Sequence, residues 1–516
     1  MRSSMVSAST LATVLFVARA EAINVTTQKL DAGRSGATLN ETTLTLSNVN
    51  SVQFGKLFEQ PVDGELYAQP LLVEGLPIAG GTHDVVFLAT AKNNVYAYDA
   101  TAPGSPFWAM NFGPAVPASD VQCCCTDVSA WVGILGTPLI DAPSATMYLV
   151  SRNKNADGTY HQWLHVLDIT TGLERAGGPK EIVASVPGTG AGSIGGVIAF
   201  DAKLQNQRSG MLFQGGRLYI AWSSHNDCGN YHGWVMSYDA ATLNQVNAFV
   251  DTPNGTRAGI WMSGGGPVGD GTNIYLTTGN GTFSANSGGR DYGESFLSLS
   301  SSLTVNTWFT PATYNRLNGG DLDLGGAGVL LLPGTRLLVS GGKDGKIYLV
   351  NADNMGGFRN GKDACLQSFS AAGGHIHGGP VSWNGSAGQL VYVWPEDTTL
   401  NAYKLVGGLL QTTPTWRSVV SGPNGMPGGQ LWVSANGTSN GIVWATHAFS
   451  GDANHTVQPG VLRVFNAATG AEIYNTKQNA ARDDFGNFAK NPSAIVSSGR
   501  VYVPTFSNKL AVYGLL

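Results

Sequence analysis

Charge is scarce in this chain: only 12% of its 516 residues are Asp, Glu, Lys or Arg, and the formal net charge is −5 at pH 7. So small a net charge gives no indication of a nucleic-acid or anionic-membrane partner. Beyond the N-terminus, no apolar run approaches the roughly 20 residues that a membrane-spanning helix needs. The His-Glu-x-x-His zinc motif and the phosphate-binding P-loop are absent as well.

Helical periodicity is also scarce. Long stretches with apolar residues at i, i+3, i+4 and i+7 are missing, whereas period-two alternation of apolar and polar residues is frequent. The chain contains 69 glycines, and glycine richness combined with little charge is typical of many tight turns between short strands. These patterns favour an all-β fold.

A repeated unit runs along the chain. It consists of an apolar strand, a Gly or Asn turn, a second strand, and then an aromatic or apolar residue before Asp or Asn. Eight copies occur, at 95–99, 164–168, 235–239, 296–299, 347–351, 400–403, 464–466 and 510–513. This number and spacing predict an eight-bladed β-propeller of four-stranded blades. The alternative fold is a β-sandwich of many strands.

The ends of the chain complete this prediction. Propellers close by pairing terminal segments, so we expect residues 52–58 to complete the blade that begins near Ala494. We predict a single β-propeller domain over 23–516, with 100–132 as a long loop over one face. Residues 1–22 are expected to be a secretory signal peptide, with Arg2, an apolar core at 11–17 and small residues around the cleavage site.

Export fits two further features. The chain contains seven Asn-x-Ser/Thr sequons, which are compatible with a glycoprotein, at Asn24, Asn40, Asn254, Asn280, Asn384, Asn436 and Asn454. It also contains five cysteines, at Cys123, Cys124, Cys125, Cys228 and Cys365. Disulfides are plausible in an exported protein, and an odd number leaves at least one cysteine free or intermolecular. No Cys-x-x-Cys-His sequence is present, so the chain attaches no c-type haem of its own.

Polar residues that suit chemistry follow the middle repeats. Asn280 ends the strand-like segment 274–280, and an Asn carbonyl is a good ligand for a hard cation such as calcium. Asp321 and Asp323 precede a Gly-Gly pair, and Lys343 lies in a glycine-rich hairpin. Each segment alone is an ordinary turn. If the repeats form a ring, however, all of them can meet at the mouth of its funnel.

Together these motifs resemble those of the eight-bladed quinoprotein alcohol dehydrogenases, which use pyrroloquinoline quinone (PQQ) and calcium. The resemblance implies that Asn280 is a calcium ligand, and that Asp323, rather than Asp321, is the catalytic base. Calcium would be bound by Asn280, Asp227 and one of Asp321 and Asp323. Lys343 would contact the quinone oxygens, and Asp227, which follows a Ser-Ser pair, would replace the usual Glu.

The resemblance extends to the cofactor contacts. The three consecutive cysteines, Cys123, Cys124 and Cys125, resemble the adjacent pair that forms a vicinal disulfide above the cofactor in this family. Their pairing stays open, because Cys228 could capture one of them. Trp261 would form the floor under the quinone. The family's docking Trp is missing from most repeats, with Trp108 and Trp308 as possible remnants.

The resemblance therefore implies a secreted dehydrogenase, periplasmic if the source is bacterial. It would oxidise a small alcohol or sugar and pass electrons to an external acceptor. The alternative is a non-catalytic secreted propeller that binds a protein or a glycan. His375 and His377 stand apart from both hypotheses. We expect them on a strand, where side chains at i and i+2 point the same way and can bind a metal or a substrate, or simply pack.

Overall fold

The computed structural model describes residues 23–516, so the predicted signal peptide lies outside the described residues. The chain forms eight antiparallel four-stranded sheets, which are the blades of a β-propeller. Blades 1 to 4 consist of the strands Leu71–Ile78, Gly81–Ala89, Asn94–Asp99 and Trp108–Asn111; Leu139–Asp141, Thr146–Lys154, Tyr160–Asp168 and Lys180–Glu181; Leu212–Gln214, Arg217–Trp222, Trp234–Asp239 and Gln245–Val250; and Val268–Gly269, Ile274–Thr277, Phe296–Leu299 and Val305–Phe309.

The second half of the ring repeats the same order. Blades 5 to 8 consist of Leu330–Leu331, Leu337–Gly341, Lys346–Asn351 and Gln367–Ser370; Val381–Gly385, Gly388–Val393, Thr399–Val406 and Trp416–Ser421; Gln430–Asn436, Ser439–Ala448, Gly460–Asn466 and Glu472–Asn475; and Ile495–Ser497, Arg500–Pro504, Lys509–Leu515 and Phe54–Pro61. The eight-bladed fold predicted from the repeats is confirmed, and each repeat corresponds to the third strand of a blade.

The ring closes as the sequence predicts. Phe54–Pro61, from the start of the chain, pairs antiparallel with the terminal strand Lys509–Leu515. A further strand, Ala37–Thr38, adds in parallel to the first strand of blade 7. Because strands from the two ends of the chain pair within blade 8, the ring is closed between blades 8 and 1.

Few elements lie outside the blades. Leu409–Leu410 forms a small ribbon with the end of the third strand of blade 6. Two short two-stranded pairs are formed by Val116–Pro117 with Trp131–Val132 and by Ser185–Pro187 with Val197–Ala199. The two short α-helices are Tyr314–Gly319 and Ala480–Asp483. The four 3-10 turns are Ala118–Asp120, Met262–Gly264, Ala285–Ser287 and Leu324–Gly326. Within 23–516, no helix has the length and apolar character to cross a membrane.

The prediction of a loop over 100–132 was wrong in part, because Trp108–Asn111 is the outer strand of blade 1. Trp108 also fastens blade 1 to blade 2. Its Nε1 donates to the Ile169 carbonyl at 2.9 Å, and its ring lies so close to Gly172 that a Cβ there would be 2.6 Å from the ring. Trp108 thus has the docking contact that the sequence suggested.

A second docking Trp was missed. Trp416 of blade 6 donates to the Ala467 carbonyl of blade 7 at 3.0 Å and packs directly on Gly470. Trp308, by contrast, lies against Gly357 of blade 5 at a looser distance, since a Cβ there would be 3.9 Å from its ring. Large buried aromatic residues fill the spaces between blades, including Trp222, Trp234, Trp394, Trp432 and Trp444.

Candidate functional site

One face of the propeller carries the predicted site residues, for a topological reason. In an antiparallel four-stranded blade, the loop that enters the first strand and the loop between the second and third strands emerge at the same end. Loops of the first kind carry Cys123, Cys124, Cys125, Trp261, Asp321 and Asp323, and loops of the second kind carry Asp227, Asn280 and Lys343. The ring therefore brings together residues that are scores of positions apart in the sequence.

These loops enclose a cavity of about 350 Å³, which is within the range of small-molecule sites. Seven of the predicted residues line it, namely Cys124, Cys125, Asp227, Trp261, Asp321, Asp323 and Lys343. Asn280 is only 1% exposed and lies behind the lining residues Asp321 and Asp323, with which it forms hydrogen bonds. The sequence did not indicate four other lining residues, namely Asp127, Arg208, Asn454 and His455.

A buried ion pair dominates the wall of the cavity. The Lys343 Nζ lies 2.6 Å from Asp323 Oδ2 and 3.3 Å from Asp321 Oδ1. Asp323 Oδ1 accepts the backbone N–H of Asn280 at 2.7 Å. Burial acts to raise the pKa of Asp323, but Lys343 and the Asn280 N–H outweigh it and hold that pKa below its usual value. Burial likewise opposes the Lys343 charge, but the two carboxylates raise the lysine pKa overall.

The Asn280 side chain leaves one oxygen free. Its Nδ2 donates to Asp321 Oδ1 at 2.6 Å, but its buried Oδ1 has no hydrogen-bond partner in the described part of the chain. Buried polar atoms are nearly always satisfied, so an orphaned carbonyl next to two carboxylates is a position that a cation would satisfy. This is the ligand atom that the sequence assigned to calcium.

Asp227 lies on the same cavity wall, and its partners only partly offset the cost of its negative charge. Burial raises its pKa, and repulsion from Asp323 and Asp321 adds to this effect. Tyr231 opposes the shift by donating its hydroxyl to Asp227 Oδ1, while the Arg257 guanidinium is 4.0 Å from Oδ2. A bound cation would favour the ionised form of this carboxyl group.

The glycine of Thr-Gly-Asn makes this packing possible. A Cβ on Gly279 would lie 2.2 Å from Asp323 Oδ1 and 2.8 Å from Trp261 Cδ1. Trp261 is 8% exposed and contacts the Arg208 guanidinium, whose carbon is 5.3 Å from the ring centroid. The cavity therefore combines an aromatic wall with two cationic groups, Arg208 and Lys343.

The cysteines pair differently from the vicinal arrangement that the resemblance implies. Cys123 forms a disulfide with Cys228, the alternative left open by the sequence, so the loop before blade 2 is joined to blade 3. Cys123 does not line the cavity, and a direct cofactor contact by Cys123 is not supported. Cys124 and Cys125 remain as adjacent thiols on the cavity, with Sγ atoms 3.1 Å apart. The hydrogen bond between Cys125 and Cys124, together with partial burial, raises the pKa of Cys125 to about 11.

Glu294 supports the site from below, and no sequence signal revealed it. Its Oε2 accepts the backbone N–H of Leu324 at 2.6 Å, which fixes the residue that follows Asp323. Burial raises its pKa well above the ordinary value, and the Asp323 charge adds to this. Burial therefore favours the neutral form of Glu294, and its hydrogen bond with the Leu324 N–H positions the Asp323 loop.

His375 and His377 were predicted on a strand, which is wrong. Both lie in the loop that enters blade 6, before Val381–Gly385. They nevertheless come together with Glu396, from the loop between the second and third strands of the same blade. His377 lines the cavity, so this cluster adjoins the Asp323 site.

Comparison with known proteins supports the fold. No protein-family model and no curated protein matches the sequence. Among solved structures, the quinohemoprotein alcohol dehydrogenase of Pseudomonas putida HK5 is similar, with a TM-score of 0.61, 11% identity, and coverage of 96% of this chain and 80% of that one. The corresponding enzyme of Comamonas testosteroni gives a TM-score of 0.58, 13% identity, and coverage of 95% and 80%.

A europium-containing methanol dehydrogenase is similar over 95% of this chain and 98% of its own, with a TM-score of 0.56 and 13% identity. At such identities the likeness concerns the arrangement of blades, not the site residues. This chain has the eight-bladed propeller fold found in quinoprotein alcohol dehydrogenases.

Proposed function

We propose that the protein is a dehydrogenase of the quinoprotein type, which oxidises a hydroxyl group of a small alcohol or sugar with PQQ and calcium in the cavity. The observation that carries this proposal is the orphaned Asn280 Oδ1 beside the Asp323–Lys343 pair. The donor set fits a hard cation, because it offers carboxylate and amide oxygens only. It fits a planar anionic cofactor as well, because Trp261, Arg208 and Lys343 lie on one cavity.

Each residue has a distinct role in this proposal. Asn280, Asp227 and one of Asp321 and Asp323 would hold calcium, while Trp261, Cys124 and Cys125 would bound the cofactor and Lys343 would contact it. Bound PQQ supplies the hydride acceptor, and calcium polarises its reactive carbonyl. The remaining chemistry belongs to the protein.

Asp323 would act as the general base. Lys343 and the Asn280 N–H hold it ionised at neutral pH, so it can accept the proton of a substrate hydroxyl that enters the cavity. The buried Lys343 ammonium would also stabilise negative charge that develops on an oxygen in the cavity. Electrons would then pass to an external acceptor.

We further propose that the protein is exported. The Cys123–Cys228 disulfide suits an oxidising compartment, and the signal-like N-terminus and the sequons agree with that route. Asn280, which is also a sequon, is too buried to carry a glycan in the folded protein.

Titration of the purified protein with PQQ, with and without calcium, tests the proposal. We expect calcium-dependent uptake of one PQQ per chain, a raised melting temperature, and reduction of a redox dye by an alcohol or a sugar. Asp323→Asn should take up PQQ but lose dye reduction by about 100-fold or more. Asn280→Ala should weaken calcium binding, so that PQQ uptake requires a higher calcium concentration.

The matched control is Asp353→Asn, which makes the same change at an exposed position on the opposite face, between the third and fourth strands of blade 5. It should bind PQQ and turn over as the unaltered protein does. Absence of PQQ uptake at every calcium concentration would contradict the proposal. It would favour the alternative, a non-catalytic propeller that binds a protein or a glycan.

A further inference from the structure

Three side chains of blade 6 form a compact group at the edge of the cavity. The ligand atoms of His375, His377 and Glu396 all lie within 4.8 Å of one another, the one such group of His, Cys, Asp or Glu found within 23–516. His377 Nε2 is 3.1 Å from Glu396 Oε1, and His375 Nδ1 is 3.8 Å from Glu396 Oε2. The glutamate therefore lies between the two imidazoles.

Two of these atoms are buried without a hydrogen bond. His377 is 1% exposed and Glu396 is 6% exposed. Although His377 Nε2 and Glu396 Oε1 are close, their geometry does not form a hydrogen bond, and neither atom has another partner among the described residues. A buried nitrogen and a buried oxygen that face each other unsatisfied are what a metal ion, once bound, would satisfy.

The spacing agrees with that interpretation. Zinc takes four ligands in a tetrahedron, with bonds of about 2.0–2.1 Å to His nitrogen and to carboxylate oxygen, so its ligand atoms lie about 3.4 Å apart. The observed separations of 3.1 Å to Glu396 Oε1 and 3.8 Å to Glu396 Oε2 lie on either side of this value, and the three ligand atoms lie within 4.8 Å of one another before any adjustment. Small side-chain rotations would bring all three ligands to one ion.

The backbone holds the group in place. The Glu396 N–H donates to the His375 carbonyl at 3.0 Å, so the two loops that supply the ligands are joined next to the site. The imidazoles of His375 and His377 are edge-to-face, with centroids 5.5 Å apart. Because the two loops are already held together, less conformational entropy is lost when a metal ion binds.

We propose that His375, His377 and Glu396 bind one divalent transition-metal ion of the zinc type and leave a fourth coordination position open. Two imidazoles and one carboxylate suit zinc and its neighbours, unlike the oxygen donors around Asn280, which suit calcium. His377 lines the cavity and the His375 side chain is 39% exposed, so water or an oxygen-containing ligand can reach the fourth position. The inference holds whether or not the cavity takes up a quinone.

The test is calorimetric titration of the chelator-treated protein with Zn²⁺ near neutral pH, repeated with Co²⁺. We expect one saturable Zn²⁺ site per chain and, with Co²⁺, the visible absorption bands of a four-coordinate ion. Glu396→Gln and His375→Ala should each weaken zinc binding at least about tenfold, since even outer-sphere partners contribute 10- to 100-fold. The half-exposed His375 makes its variant a safe one for folding, which an unchanged melting temperature without metal would verify.

Two control variants exclude other zinc sites in the same cavity. His455→Ala removes an exposed histidine that lines the cavity outside the cluster, and the double variant Cys124→Ser with Cys125→Ser removes the adjacent thiols. Both should bind zinc as the unaltered protein does. Absence of a saturable site would overturn the inference, as would binding that survives Glu396→Gln and His375→Ala but disappears with the cysteine pair.

Discussion

Asp323 and Lys343 are joined twice. Their charged groups lie 2.6 Å apart, and the backbone N–H of Lys343 also donates to the Asp323 carbonyl at 3.0 Å. Asp323 precedes the first strand of blade 5, and Lys343 lies between its second and third strands. The side chains are 7% and 15% exposed, so the pair is formed largely out of water. Removing one partner therefore leaves the other charge buried and uncompensated.

We expect Lys343→Met to lower the free energy of unfolding by about 3–5 kcal/mol at neutral pH. The loss should shrink in acid. In the unaltered protein the pKa of Asp323 is lower in the folded state than in the unfolded chain. The ionised carboxylate therefore stabilises the folded protein at pH values above the unfolded-state pKa, and this stabilisation disappears as the pH falls through the folded-state pKa. Without Lys343, burial would raise the Asp323 pKa, and protonation in acid would remove the penalty.

Chemical denaturation over a pH series measures both effects. Lys343→Arg, which keeps the positive charge, is the control and should lose much less stability at neutral pH. An equal loss for Lys343→Met at neutral and at acidic pH would show that lost packing, rather than the buried charge of Asp323, causes the destabilisation.

The fold could be predicted from the sequence because each repeat places an aromatic or apolar residue at the same point of a third strand, before Asp or Asn in five of the eight. Pairing of the termini followed from the need of a propeller to close. The outer strand Trp108–Asn111 was missed because outer strands are partly exposed and lack strict alternation. Trp416 was missed because its contact with Gly470 depends on how adjacent blades stack.

The sequence predicted which site residues meet only where the propeller topology by itself brings them together. Turn residues such as Asn280 and Lys343 occupy equivalent positions of successive blades, so their convergence follows from the ring. Glu294 gave no signal, because its importance depends on burial and on neighbours that are distant in sequence. The Cys123–Cys228 pairing was one of several that the sequence permits, since loop conformation decides which sulfur atoms meet.

Gly279→Ala should disturb the site directly. Its Cβ would overlap Asp323 Oδ1 and Trp261 Cδ1, both held in place by their surroundings. We expect a loss of about 1–3 kcal/mol in the free energy of unfolding and a change in tryptophan fluorescence. Gly104→Ala is the control, because no atom lies within 4 Å of its added Cβ. Equal stability of the two variants would contradict the close packing around Gly279.

Two substitutions of Trp416 should separate its packing from its hydrogen bond. The residue is 8% exposed, fills the contact with Gly470, and donates to Ala467. We expect Trp416→Ala to lose about 3–5 kcal/mol. Trp416→Phe keeps an aromatic ring on Gly470, so it should lose less. The Ala467 carbonyl still accepts the Tyr392 hydroxyl at 3.0 Å, so the missing indole hydrogen bond contributes only about 0.5–1.5 kcal/mol of that loss. Thermal or chemical unfolding measures both, and a larger loss for Phe than for Ala would contradict a docking role.

Cysteine labelling should distinguish the disulfide from the thiols. Under non-reducing conditions we expect peptide mapping to recover Cys123 joined to Cys228, with Cys124, Cys125 and Cys365 available to alkylation after unfolding. In the folded protein Cys365 should react slowest with a thiol reagent near neutral pH. Burial raises its pKa to about 12, with the Asp363 charge adding to the shift, so little thiolate is present.

Loss of the disulfide should also lower stability, because it joins positions 105 residues apart. Cross-links over long loops restrict the unfolded chain most, and removal of a native disulfide typically lowers the free energy of unfolding by about 2–5 kcal/mol. Cys228→Ser should show this loss, whereas Cys365→Ser, which removes a cysteine outside any disulfide, should not. Recovery of a Cys124–Cys125 disulfide alongside an intact Cys123–Cys228 bond would leave this prediction standing. A Cys228→Ser protein as stable as the unaltered one would contradict it, because the disulfide across 105 residues would then contribute nothing to stability.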